Sequence, residues 1–513
     1  MARTLPIVYV RGFGGGQAGI DSLVEDPFYG FNVGSTHVRV GGGGEPAFYQ
    51  FESPLLRLML DHGYTLHVKG GQLSWLRAQP DGTVPEASVW IHRFYDEAAS
   101  TFGRDPQRYR LEGAAEDLLD LVELVRRKTG APRVHLVAHS MGGLVCRSLL
   151  QKVVPERGGR ATDLVDRLFT YATPHGGIEF AVGFGLLERA RDLLGVQGAD
   201  IFGPARMWEY LHPSGAGEAP PDWDPRDIPE AAFPRDRVFT LVGTNPEDYD
   251  VALGLSSKAV GVKSDGLVQI ENAYVPGARF AYVHRSHSGR YGIVNSEEGY
   301  QNLRRFLLGD LEVTADLVGL RLPAAGAGGP EDLVWQADVE LAVRGLPVLM
   351  HQQVAAHHCP VILDLPADEA DRPQPLVTTF LIADPAVRPE DAGTVRYTLH
   401  VRLFSVRQHR GIFDFGDHLE QTADFDDWLV VDIGVLDEGL AAWAAWVSEL
   451  PVTLRDYVPD GPPLADEDAA PGRWVKRLPL PPAARRIFGE AAALQLTVRA
   501  RAGQDAAAPD APA

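Results

Sequence analysis

The chain has 513 residues, room for two or more domains, and 45% of them are apolar, enough for a full core. Its formal net charge of −21 argues against nucleic acid as a partner and against binding to acidic membranes through a basic patch. The two cysteines, Cys146 and Cys359, are far apart and suggest neither a disulfide framework nor a thiolate metal site, and no apolar run approaches membrane-helix length.

Residues 1 to 310 alternate strand-like and helix-like segments, the pattern of an α/β fold. The first strand, Ile7 to Val10, runs into the turn Gly12-Phe13-Gly14-Gly15-Gly16. A dinucleotide loop would need a third glycine where Gln17 stands. The stretch from about Gln17 to Gln50 is rich in aromatics and glycine. It should overhang whatever the turn serves, its aromatics lining an apolar pocket or packing the loop itself. Its Gly41 to Gly44 run reads as a flexible turn rather than a phosphate cradle. A helix near Pro54 to Asp61, strands near Thr65 to Val68 and Ser88 to His92, and a helix near Leu111 to Lys128 follow.

The next strand, Val134 to Ala138, ends in Ala138-His139-Ser140-Met141-Gly142, and a helix continues through Leu144, Val145, Leu149 and Leu150 to Val153. A serine at a sharp strand-to-helix turn is the layout of a nucleophile elbow, which needs small residues two positions to either side. Ala138 stands where glycine is commoner, at the cost of one methyl group. The plain alternative is a buried serine that opens an ordinary helix.

After a strand at Leu168 to Ala172, residues Ile178 to Arg235 form an insertion. Phe180, Phe184, Leu187 and Leu194 recur there at helical spacing, opposite Glu188, Arg189 and Asp192. Strands at Val238 to Val242 and Arg279 to Val283 and a helix at Ser296 to Leu308 complete the region. A nucleophilic serine needs a histidine and an acid. His287 follows the last strand, and Asp265 opens the loop Lys263-Ser264-Asp265-Gly266-Leu267-Val268 at a suitable distance before it. His284 is the alternative base, and Asp248 and Asp250 are the alternative acids. Backbone N–H groups of Met141, after the serine, and Phe13, in the first glycine turn, are the candidate oxyanion donors.

Taken together, Val10-Arg11-Gly12-Phe13-Gly14, Ala138-His139-Ser140-Met141-Gly142-Gly143, Ala172-Thr173-Pro174-His175-Gly176-Gly177 and Ser264-Asp265-Gly266-Leu267-Val268 resemble the α/β-hydrolase superfamily, and within it the bacterial lipases and esterases. Arg11 departs from the more usual histidine, which should matter little because the oxyanion donor is main chain. The resemblance covers residues 1 to about 310. It implies an α/β-hydrolase domain with a cap or lid at about 178–235 and a Ser140-Asp265-His287 triad that cleaves carboxylic esters through an acyl-enzyme. It also implies no cofactor and no metal. Alternatives are a phospholipase, an acyltransferase or amidase using the same triad, and a non-catalytic binding protein on a hydrolase fold.

Near Leu311 the pattern changes. A Gly/Pro/Ala stretch at 323–330 precedes strand-like segments at Val334 to Val343, Pro360 to Leu365, Val377 to Ile382, Val395 to Val406, Trp428 to Ile433 and Leu494 to Ala500. They suggest a β-sandwich-like accessory domain over 311–503, followed by a disordered tail at 504–513. The acidic run Asp414, Asp417, Glu420, Asp424, Asp426 and Asp427 fits no calcium loop and reads as a solvated face. The expected partner is an ester or lipid small molecule, with no nucleic acid and no transmembrane segment. A protein partner or a second copy of the chain is the candidate for the C-terminal domain. Met1-Ala2-Arg3 leads straight into a strand too short for a signal-peptide core, so a cytoplasmic location is expected.

Overall fold

The computed structural model describes residues 4–12, 17–40, 46–67, 71–96, 99, 110–178, 199–247, 262–289, 291–322, 333–363, 372–383, 393–407, 423–436, 439–468 and 470–501. The chain divides into two compact units, Thr4–Leu307 and a second that runs from Leu308 onward.

The first unit is built on β1 (Ile7–Val10), α1 (Gln17–Glu25), the hairpin β2 (Ser35–Val40) and β3 (Pro46–Phe51), α2 (Pro54–His62), β4 (Thr65–Leu66), α3 (Gln72–Ala78), β5 (Ser88–His92), α4 (Leu111–Thr129), β6 (Val134–His139), α5 (Gly142–Ser148), β7 (Val165–Tyr171), β8 (Val238–Gly243), β9 (Arg279–Val283) and a helix at Glu297–Leu308. Seven of the strands form a parallel sheet in the order β4-β5-β1-β6-β7-β8-β9. Every residue of β1, β6 and β8 is buried, as expected for parallel strands covered on both faces. The chain goes from β1 to one side of the sheet for β4 and β5, then adds β6 to β9 on the other side. The loops leaving β1 and β6 therefore diverge, and in open α/β sheets that crevice at the strand carboxyl ends is where ligands bind. Gly12 follows β1 there, and Ser140 follows β6.

The aromatics between α1 and α2 mostly pack inward. Tyr29, Phe31 and Phe51 are fully buried, and the Phe31 ring lies 4.7 Å from that of Tyr9 on β1. Arg93 holds this segment by donating to the carbonyls of Val24, Asp26 and Pro27. Of the insertion between β7 and β8, residues 199–235 are described. Their helix Pro204–Leu211 buries Met207, Tyr210 and Leu211 and packs on α5. The amphipathic run carrying Phe180, Phe184, Leu187 and Leu194 lies outside the described residues, as do Gly41 to Gly44 and Val68. Among the described residues no helix is long and apolar enough to cross a membrane.

The second unit is antiparallel throughout. One sheet has the order β14-β10-β19-β18, from β14 (Gln374–Leu381), β10 (Leu311–Val318), β19 (Ala493–Ala500) and β18 (Arg473–Pro479). The other has the order β12-β11-β15-β16-β17, from β12 (Leu349–Gln353), β11 (Leu333–Val343), β15 (Val395–Arg407), β16 (Phe425–Leu436) and β17 (Gly439–Trp446), with β13 (Val361–Leu363) also paired to β11. Alternate residues of β10, β11 and β15 share one apolar core with Leu494, Leu496 and Val498 of β19. Strands β10, β12, β17 and β18 were not expected from sequence. The alternation Leu311, Val313, Ala315, Leu317 is a legible period-two signal for β10, hidden by its immediate attachment to the preceding helix. The stretch GLAAWAAW of β17 has the alanine content of a helix, and pairing with β16 overrides that preference. The residues 323–330, Asp414, Asp417, Glu420 and the tail from 504 lie outside the described residues. Asp424 accepts from the Ser405 N–H and Asp427 from the Ser448 N–H, and Asp426 faces His400. Among the described residues no group of His, Cys, Asp and Glu could hold a metal ion.

One polar row crosses the second sheet. Glu340 is paired with Gln352 and His400, and His400 with Trp428. The His400 ring stacks on Trp428 at 4.1 Å, with Nδ1 3.1 Å from Glu340 and Nε2 2.7 Å from Asp426. Partial burial opposes its charge, but the two carboxylates outweigh that and raise its pKa above the usual histidine value. A raised folded-state pKa stabilises the fold fully below the unfolded value of about 6.5 and loses that contribution as pH rises through the folded one. The Tm gap between wild type and His400→Gln should therefore be widest in mild acid and shrink toward alkaline pH. Thermal melts across that range check it, and a gap that widens with pH would contradict the assignment.

Candidate active site

The turn after β6 is strained. Ser140 sits at φ 55°, in the left-handed region that non-glycine residues seldom adopt. Its N–H donates to Tyr171 O at 2.9 Å, and its carbonyl accepts from the Gly143 N–H at 3.0 Å and the Thr173 hydroxyl at 2.8 Å. These bonds over-determine the turn, which is how a strained residue persists. The neighbouring glycines are required by close approach. A Cβ on Gly142 would stand 2.3 Å from Val10 O, and one on Gly143 would stand 2.2 Å from Thr173 Oγ1. Ala138 is buried within the sheet, in register with Val10 and Thr170, so its methyl group is accommodated.

Gly12 closes the site from the β1 side. A Cβ there would lie 2.4 Å from Ser140 Cβ and 2.9 Å from His139 O. Neither neighbour is the free end of a flexible chain, so Gly12→Ala must displace Ser140. With Ser140 as the nucleophile expected from sequence, its fluorophosphonate labelling rate should fall by about 100-fold, the order associated with ångström-scale misplacement. Stopped-time labelling beside a thermal melt checks this, and wild-type rates in a folded variant would refute it.

The structure brings Ser140, His287 and Asp265 together. His287 Nε2 lies 3.0 Å from Ser140 Oγ, and Nδ1 lies 2.9 Å from Asp265 Oδ2. The other carboxylate oxygen of Asp265 accepts from the N–H groups of Leu267 at 3.0 Å and Val268 at 2.8 Å. That tight loop needs Gly266 at φ 99°. It also presses on the end of β8, where a side chain at Gly243 would reach within 2.9 Å of Asp265 Cβ. The His287 N–H donates to Asp265 O at 2.8 Å, so main chain and side chain both bind His287 to Asp265. All three residues are buried. His284 is exposed instead, with Nδ1 against the Thr244 hydroxyl at 3.4 Å. Met141 is buried directly after the serine and precedes α5. Phe13, Asp248 and Asp250 lie outside the described residues.

Two residues near the site were not singled out by sequence. Arg147 on α5 is fully buried, and its guanidinium donates to the carbonyls of His175 (3.1 Å), Pro225 (2.8 Å) and Asp227 (2.6 Å) and to Gln151 Oε1 (2.9 Å). Burial lowers its pKa to about 10, with Tyr210, Asp227 and Asp224 opposing the shift. It ties the elbow helix to the loop after β7 and to the end of the insertion. Arg226, paired with Asp224 at 2.7 Å, ties the same segment to Glu271 O and the Tyr274 hydroxyl. The signal available in sequence was one arginine inside an otherwise apolar helix face. The second residue is His139, whose Nε2 lies 2.9 Å from His287 O. It was read only as an elbow position.

A family model described as the alpha/beta hydrolase fold matches residues 92–188, a span that contains β6, the elbow and α5. Among solved structures, Bacillus licheniformis lipase BlEst2 in mature form is 16% identical, with 59% of this chain and 91% of that one covered at a TM-score of 0.31. Phospholipase PlaB from Legionella pneumophila is 12% identical, with 86% and 90% covered at a TM-score of 0.33. Aspergillus fumigatus lipase B is 12% identical, with 59% and 52% covered at a TM-score of 0.29. The family match falls on the strand, turn and helix that carry the strained serine, within a parallel sheet whose carboxyl ends gather the polar groups. On that ground the first unit has the α/β-hydrolase fold.

Proposed function

We propose that the protein is a serine hydrolase of carboxylic esters, of the esterase or lipase kind. The observation that carries this reading is the continuous hydrogen-bonded line from Ser140 Oγ through His287 to Asp265, buried at the carboxyl end of the sheet. A carboxylate only accepts, so His287 keeps its proton on Nδ1 and turns an Nε2 lone pair toward the Ser140 hydroxyl. Ser140 Oγ attacks the ester carbonyl carbon as Nε2 takes its proton. The C–O π pair moves onto the carbonyl oxygen, and the N–H groups of Met141 and Phe13 stabilise that oxyanion. Collapse breaks the bond to the alcohol, which leaves with the proton from Nε2. Water then repeats the two steps on the acyl-enzyme and releases the acid. Asp265 fixes the imidazole tautomer and stabilises the imidazolium, while Leu267 and Val268 keep its carboxylate from rotating away. This sequence needs no cofactor and no metal.

A panel of soluble acyl esters of increasing chain length, with a phospholipid arm and a competing alcohol, tests the reading. Release of free acid from at least one class supports it. Transfer of the acyl group mainly to the alcohol would reassign the protein as an acyltransferase, and hydrolysis of amides alone would make it an amidase.

Residues 178–235 act in this reading as a cap over the site, its base held by Arg147 and Arg226. The region from 311 to 503 is an accessory domain that supplies no triad member, since Ser140, Asp265 and His287 all precede it. A chain ending at Asp310 should keep at least about a tenth of wild-type turnover on a small soluble ester, since its transition-state contacts are intact. A folded, inactive truncation would show instead that the second unit completes the site.

A further inference from the structure

We infer that His139 is a positioning residue, whose Nε2–H holds the main-chain carbonyl of His287 and thereby sets the base over the nucleophile. This rests on the reading of Ser140 and His287 given above.

His139 ends β6 and is bonded covalently to Ser140. Its ring is buried, with its centroid 4.9 Å from that of His287 and the planes tilted by 43°. Nε2 stands 2.9 Å from His287 O. A carbonyl oxygen can only accept, so the proton sits on Nε2 and Nδ1 keeps a lone pair. Burial is the largest influence on this ring, and with the nearby His287 and Arg11 charges it pushes the pKa well below the usual histidine value. Burial thus favours the neutral ring, and the carbonyl partner selects its Nε2–H tautomer.

Besides the Nε2 contact with Ser140 Oγ, two kinds of bond hold His287 in place. Its N–H and Nδ1 both go to Asp265, which fixes base to acid. Neither bond fixes the base relative to Ser140, because Asp265 sits on a separate loop after β8. The His139 bond supplies that constraint, since it runs from the residue next to the nucleophile to the peptide of the base. The alternative is that the ring only fills space. Nδ1 of His139 is buried and has no hydrogen-bond partner among the described residues. An unpaired buried nitrogen is unfavourable, and a phenyl ring would fill the same volume without it. The gain that distinguishes histidine here is the Nε2 bond.

His139→Phe and His139→Gln separate the two roles. Phenylalanine keeps the ring and removes the donor, whereas glutamine loses the ring and can still donate to the same carbonyl. On a small soluble ester we expect His139→Phe to lose about 100-fold in kcat with KM little changed, and His139→Gln to recover about 10-fold of that loss. The downfield proton NMR signal of the His287 Nδ1–H should persist in wild type and His139→Gln and broaden in His139→Phe. Turnover of His139→Phe within about 3-fold of wild type, or glutamine worse than phenylalanine, would overturn the inference. Wild-type protein gives a check independent of any variant's folding. Its His139 nitrogen shifts at neutral pH should report an Nε2–H ring with a bare Nδ1, and an Nδ1–H ring there would also overturn it. Ser140→Ala separates the two readings. If that variant keeps turning over, the serine-hydrolase reading fails. If it is dead while His139→Phe is unimpaired, only the positioning role fails.

Discussion

Ser140→Ala should lose covalent labelling by a fluorophosphonate probe and lose ester hydrolysis, with turnover down by about 10⁴-fold or more. The size of the effect follows from what alanine removes. In the proposed reaction Oγ is the attacking atom, and it is the group facing His287 Nε2 at 3.0 Å, so nothing else along that line could form the acyl bond. The turn itself should survive, because its anchors all use the main chain of residue 140: its N–H donates to Tyr171 O, and its carbonyl accepts from the Gly143 N–H and the Thr173 hydroxyl. Alanine at φ 55° is no more strained than serine. A variant that melts like wild type but labels equally well would remove Ser140 as the nucleophile. Intact-mass measurement after probe treatment reads this outcome directly.

The second large effect is expected at the other end of the line. Asp265→Asn should cost about 10⁴-fold in turnover while leaving the fold in place. The amide can keep the bonds from Leu267 and Val268 through its oxygen, because Oδ1 accepts both. Its nitrogen then faces His287 Nδ1 and donates, which forces the ring proton onto Nε2 and removes the lone pair that Ser140 needs. His287→Ala should be similarly inactive, whereas His284→Ala should retain most activity, since His284 is exposed and directed at Thr244. Steady-state kinetics of the three variants on one soluble ester decide the matter. Loss of turnover in His284→Ala with an active His287→Ala would move the base. An active Asp265→Asn beside an inactive Asp248→Asn or Asp250→Asn would move the acid to the earlier loop.

Local chemistry made the core of the site legible in the sequence. A strand-to-helix turn with a serine between small residues admits few backbone solutions, and Gly142 and Gly143 are the residues the close approaches demand. Strand positions in the first unit were legible because strands of a covered parallel sheet are nearly continuous apolar runs bounded by turns. The second unit was harder to read. Its core strands β11, β15 and β16 show enough alternation to be seen. The alanine-rich β17 and the charged β18 take their form from the neighbours they pair with.

By itself the sequence determined the elbow, the apolar strands and the order of the three polar residues, because each of these is set by neighbours a few positions away. The tertiary structure alone decided which histidine meets the serine. His284 and His287 are three positions apart on one return loop, and spacing ranks them only weakly. Closure of that loop onto Asp265 O and His139 Nε2 turns His287 inward and leaves His284 in solvent. The role of His139 was invisible for the same reason, since its partner lies 148 residues away. Arg147 likewise reads as an oddity in an apolar helix until three carbonyls from two distant loops converge on it. A hydrogen-bond acceptor supplied by main chain leaves no trace in residue type, so only the folded chain can reveal it.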